Sequence, residues 1–105
     1  MFSDTPAGPP DIQEGIWKGR PVRYRADRII VAFNPAALST YGTLEQLAES
    51  IIAVIPDGTL IRLSPRSGRA IFGVAPTTDI LELADALSAR DEVDYAEPDL
   101  VDSTA

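Results

Sequence analysis

A chain of 105 residues holds one domain and leaves no room for a second. Its hydrophobic share of 45% and charged share of 24% are those of an ordinary globular domain that can bury a core without staples. It contains no cysteine and no histidine, which excludes disulfides, thiol catalysis, cysteine or histidine zinc sites and any catalytic triad built on an imidazole.

The formal net charge of −7 is unevenly distributed. Residues 1–42 carry five cations against four acids, and residues 43–76 three against three. Residues 77–105 carry only Arg90 against nine acids, so the last third holds the whole excess. Such a stretch reads either as a solvated helix face with a polar tail or as an acidic end that docks on electropositive features of a partner. No apolar run approaches the roughly 18 to 20 residues that cross a bilayer. Met1 to Pro10 lack the basic-then-apolar order of a secretory signal, so a cytoplasmic location is expected unless a leader precedes the chain.

Residues 1–25 read as a Pro-rich N-terminal arm, partly disordered. Pro6, Gly8, Pro9 and Pro10 block regular structure. Ile12, Ile16 and Trp17 then form a short helical turn or lie across the domain, and Gly19 to Arg25 run extended. Residues 28–33, rich in β-branched and apolar side chains and closed by Asn34-Pro35, predict a buried strand. A loop to Gly42 follows.

Thr43-Leu44-Glu45-Gln46 has the form of a capping box, with the Thr43 hydroxyl placed to accept from the Gln46 N–H. Leu44, Leu47, Ala48, Ile51 and Ile55 give the helix behind it one apolar face, and Pro56-Asp57-Gly58 stops it. Residues 60–63 and 69–74 predict two strands, and the short turn between them makes an antiparallel hairpin. Pro76-Thr77-Thr78-Asp79 opens a second helix with a hydroxyl cap, and Ile80, Leu83, Ala84 and Leu87 face the core. Val93 to Ala96 make a last short strand, broken at Glu97-Pro98 because proline cannot donate to a ladder. The remainder is a polar tail.

The order β-α-β-β-α-β predicts an α+β fold, the ferredoxin-like two-layer sandwich: a four-stranded antiparallel sheet with two helices on one face. Its other face is left without helices.

On that frame the run Val93-Asp94-Tyr95-Ala96-Glu97-Pro98-Asp99 closely resembles the V-x-Y-A-E-P-[ND] signature that ends the pro-domains of subtilisin-like serine proteases. The strand type at Ile29-Ile30-Val31, the Ile-Pro-Asp-Gly turn at 55–58 and the helix with Leu83, Ala84 and Leu87 occur in the same order. The resemblance covers residues 26–105, as an inhibitor domain at 26–99 and an inhibitory tail at 100–105; residues 1–25 have no counterpart in it.

The resemblance implies a propeptide-type inhibitor, in cis as a pro-segment that also assists folding, or in trans. The bare sheet face would pack on two surface helices of the protease. Glu97 and Asp99 would cap those helices, whose N-termini present unsatisfied N–H groups and partial positive charge. Leu100, Val101, Asp102, Ser103, Thr104 and Ala105 would run extended into the active-site cleft and pair with its strands. Asp102 departs from the small or apolar residue that the family prefers at the fourth subsite, whereas the small Ala105 suits a narrow primary pocket.

Two other classes share the topology. An RNA-recognition sandwich would stack bases on the sheet, with Phe33 and Phe72 as candidate platforms. Its phosphate contacts need clustered cations, and none are clustered here. A small-ligand regulatory domain would need a phosphate cradle or a metal loop, and neither motif occurs. The expectation is therefore a non-enzymatic chain, without cofactor or metal, monomeric when free. Its partner is a subtilisin-like serine protease rather than nucleic acid or a membrane.

Overall fold

The computed structural model describes residues 12–75 and 77–101. Asp102, Ser103, Thr104 and Ala105, the Pro-rich start and Pro76 lie outside the described residues. The element order is β1 (Ile12–Trp17), β2 (Arg20–Phe33), a 3-10 turn (Pro35–Ala37), α1 (Leu38–Tyr41), α2 (Leu44–Ile52), β3 (Thr59–Ser64), β4 (Arg69–Gly73), α3 (Ile80–Ser88) and β5 (Val93–Leu100). All five strands join one antiparallel sheet. The fold is a mixed α+β arrangement compatible with a ferredoxin-like sandwich, with five strands where four were expected.

β2 is the spine. Its second half pairs with β4 on one edge and with β5 on the other, because Ile29 to Ala32 lie opposite both. Its first half pairs with β1, and Tyr24 lies opposite Gln13 of β1 and Leu100 of β5 at once. β1 therefore sits end to end with β4 on the same edge of β2. The sheet without β1 runs β5-β2-β4-β3, and the β1–β2 ribbon prolongs it. The described molecule is accordingly elongated, with extents of 53 × 29 × 23 Å.

Residues 12–25 do not contain the helical turn that the sequence left open. Lys18 and Gly19 both have positive φ, 53° and 80°, as a two-residue type I′ turn requires, and its twist suits a tight hairpin. Gly15 lets the ribbon lie on α3: a Cβ there would stand 2.9 Å from Leu81 Cδ1. Trp17, Val22 and Leu81 are partly buried against the core, and Tyr24 is buried within it.

Alternation along the strands puts Ile29, Val31 and Phe33 on the same face as Ala70, Phe72, Ala96 and Pro98. That face packs on Leu47, Ala48 and Ile51 of α2 and on Ile80, Ala84 and Leu87 of α3, forming the core. Phe33 and Phe72 meet edge to face, ring centroids 6.5 Å apart.

The α2 cap is the expected one, with Thr43 Oγ1 accepting from the Gln46 N–H at 3.1 Å. This helix is shorter than its apolar pattern. From Val54 the bonds tighten to the third preceding residue, and Ile55 reaches the core from that turn rather than from helix. The α3 cap is Asp79, not a hydroxyl, and its Oδ1 accepts from the Glu82 N–H at 3.2 Å. A carboxylate serves better at a helix N-terminus because it also meets the dipole. The loop at 34–42 holds two short helical turns, opened by Asn34, whose Oδ1 accepts from the Ala36 N–H at 3.0 Å.

β5 does not end at Ala96. It continues through Pro98 to Leu100. Ala96 directs its N–H outward to Ser88 Oγ at 2.9 Å, so two residues on, the position of Pro98 also points away from β2. Proline there removes no ladder bond. Ser88 Oγ also donates to the Ala96 carbonyl at 3.3 Å, so one hydroxyl satisfies both outward groups of a buried edge residue.

Candidate functional site

The sheet face opposite the helices carries no element of the chain among the described residues. The N-terminal ribbon extends this face instead of covering it. Ile30 sits between Ile71 of β4 and Glu97 of β5; Ala32 sits between Arg69 and Tyr95. The Arg69 guanidinium lies over the Tyr95 ring, 5.7 Å from its centroid.

β3 adds to this face through a bulge, since Leu60 pairs with Phe72 and Arg62 with Ile71, leaving Ile61 as the extra residue. A Cβ on Gly73 would stand 2.7 Å from Thr59 Oγ1 and 3.4 Å from Ile61 Cδ1, so both side chains lie on the outer side of Gly73. Ile61 is 48% exposed. The centre of the face is thus an apolar strip, Ile61, Ile71 and Ile30, bordered by Arg69 and Tyr95 on one flank and by charges on the other.

Those charges gather where β2 changes partner. Asp27 Oδ1 lies 3.6 Å from Arg25 Nε and 3.5 Å from Arg28 Nε, and Asp99 Oδ2 lies 4.0 Å from Arg28 Nε. These are ion-pair separations rather than hydrogen bonds. Glu97 and Asp99 flank the buried Pro98 and so project side by side from the edge strand onto this face. Most of the acidic excess lies elsewhere, with Asp79, Glu82, Asp85, Asp91 and Asp94 all exposed outside it.

Of the remaining candidate residues, Leu100 lies opposite Tyr24, and the Val101 N–H donates to the Arg23 carbonyl at 2.9 Å. Leu100 and Val101 are 43% and 44% exposed. Asp102, Ser103, Thr104 and Ala105 lie outside the described residues. Phe33 and Phe72, the candidates for a stacking platform, are in the core, whereas the half-buried Tyr95 of β5 stands on the open face.

No protein-family model, curated protein or solved structure matches the chain.

A second feature lies away from this face, an open depression of about 620 Å³ near Asn34, Thr40 and Arg90. At its wall the buried Glu92 carboxylate accepts from Arg90 Nε at 2.8 Å. Burial alone would raise the Glu92 pKa. The Arg90 hydrogen bond, a backbone bond and the guanidinium charge outweigh it and hold the carboxyl below its ordinary value. The pair satisfies itself and clamps the turn between α3 and β5. Among the described residues no cluster of carboxylates could hold a metal, and no helix is long and apolar enough to cross a membrane.

Proposed function

We propose that the chain is a pro-domain or free-standing inhibitor of a subtilisin-like serine protease, built on a ferredoxin-like sandwich whose N-terminal ribbon is an addition. The observation that carries the reading is the helix-free face with Glu97 and Asp99 projecting from its edge, on the strand that bears the signature Val93 to Asp99. An apolar strip flanked by charged and polar side chains is the anatomy of a protein-docking patch. The two carboxylates offer acceptors to the N–H groups at the ends of such helices. The segment from Leu100 onward is the part that enters the cleft as an added strand.

The test is inhibition of a subtilisin-type protease assayed on a chromogenic peptide. Full-length protein should inhibit, and deletion of residues 100–105 should remove most of the effect. Glu97→Ala and Asp99→Ala should each weaken binding by about 0.5–2 kcal/mol, as for lost helix caps. Ile61→Glu should leave the fold intact and abolish docking, because it places a charge in the apolar strip. Undiminished inhibition by both the tail deletion and Ile61→Glu would refute the reading.

A further inference from the structure

We infer that the β1–β2 ribbon is a positioning arm that holds residues 99–101 extended before a partner is met. The purpose assigned to this arm rests on the inhibitor reading; its geometry rests on the register of the sheet.

Three observations carry it. The β5 ladder against the second half of β2 stops at Ile29 and Pro98, and β2 then spends three extra residues in a bulge before Tyr24 meets Leu100. Past that bulge, β5 is held by Arg23 and Tyr24, which belong to the half of β2 that pairs with β1. A single strand projecting from a domain is not stable in water, so without β1 that half of β2 would give the tail nothing to pair with. Finally, Leu100 and Val101 are 43% and 44% exposed, so their apolar burial is incomplete and backbone pairing supplies the rest of the hold.

The ribbon in turn is fastened to the domain. Tyr24 is buried, Trp17 and Val22 pack on the core, and Leu81 of α3 lies against Gly15. A path of rigid contacts therefore runs from α3 through β1 and β2 to the last paired residue of β5. A segment already extended before it meets a partner avoids the ordering cost that a free tail meets on binding. Arg23 and Tyr24 are in this sense positioning residues, acting through backbone groups and touching no substrate.

The test uses the full chain and loosens the ribbon without altering the tail. Gly19→Val strains the turn at φ +80° without a clash, since no atom lies within 4 Å of a Cβ there. Trp17→Ala removes the packing of the tip, and the two changes are combined. Amide hydrogen exchange of the free protein is the first readout. In the unaltered protein Val101 should be protected; in the double variant Val101 should lose protection together with Gly15, while Ile30 and Val31 keep theirs. Inhibition of a subtilisin-type protease should weaken about thirtyfold to several hundredfold although residues 99–105 are unchanged, as expected for releasing two backbone residues.

Fast exchange at Val101 in the unaltered protein would overturn the inference. So would a Val101 amide that stays protected once the ribbon amides are freed, or inhibition that persists undiminished when Val101 is released. If the unaltered protein inhibits no subtilisin-type protease, the functional reading falls, and exchange at Val101 alone decides whether the arm exists.

Discussion

Replacing Ser88 by alanine removes one oxygen and uncovers two backbone groups. In the folded protein Ser88 Oγ accepts from the Ala96 N–H at 2.9 Å and donates to the Ala96 carbonyl at 3.3 Å. Ala96 is 1% exposed, so the N–H loses a bond it cannot replace inside the core and must wait for a water at the rim. Leaving such a donor unpaired costs about 1–3 kcal/mol, and the longer second bond adds a few tenths. Against this, alanine is the better helix former by about half a kcal/mol. The expected loss is therefore about 1.5 kcal/mol, read as a shift of the urea midpoint at constant slope, or about 5–10 °C in Tm.

Ser50→Ala is the internal control. Ser50 Oγ only bonds back to the Leu47 carbonyl of its own helix, at 2.7 Å, and its removal should be neutral or slightly stabilising. If Ser88→Ala unfolds within about 0.3 kcal/mol of Ser50→Ala, the edge of β5 is not sealed by this hydroxyl.

Three further outcomes follow from the same packing. Asp79→Ala should destabilise by about 1 kcal/mol in chemical denaturation whereas Thr78→Ala should not, because the carboxylate and not the hydroxyl caps α3. Glu92→Gln should flatten the acid side of the stability profile. The folded pKa of Glu92 lies below its ordinary 4.5, so its contribution is complete above that pH and is lost as pH falls through the lower, folded value; melting from pH 7 to 3 reads this. Gly58→Ala should cost about 1–3 kcal/mol in the same assay, since its Cβ would stand 2.8 Å from Ile55 Cβ, a buried side chain that has no room to retreat.

The core of the fold was legible because its signals are local and redundant. Thr43 announces α2, the β-branched run at 28–33 announces the middle of the sheet, and the turn at 64–68 fixes a hairpin. The ribbon was not legible for a specific reason. Its turn is Lys18-Gly19, where Asn-Gly or Asp-Gly would have been the recognisable pair, and only the fold shows Lys18 in the left-handed region. No clean alternation marks β1 either, since Ile12, Glu14 and Ile16 share one face and Ile16 is exposed.

β5 runs past its proline because proline excludes a residue from a ladder only when its nitrogen faces the partner, and that phase is set by Ser88 and Ala96 across the chain. The short turns after Phe33 did carry a signal, Asn34 followed by proline at the first helical position. For the candidate site, the resemblance of Val93 to Asp99 pointed to Glu97 and Asp99, whereas a strand expected to end at Ala96 gave them no face. The link between Val101 and Arg23 depends on a bulge in β2 that no periodicity announces.

The placement of β2 has a consequence for how the protein is made. Its partners on one edge arrive early, β1 ahead of it and β4 midway. The strand that closes its other edge is the last of the five to leave the ribosome. Until Val93 to Val101 emerge, the chain carries a long open edge through the middle of its sheet, where Ile29 and Val31 have no cover from β5. Truncations that lose these residues should therefore fail by association into larger particles more than by simple loss of helix, a pattern visible by light scattering during synthesis.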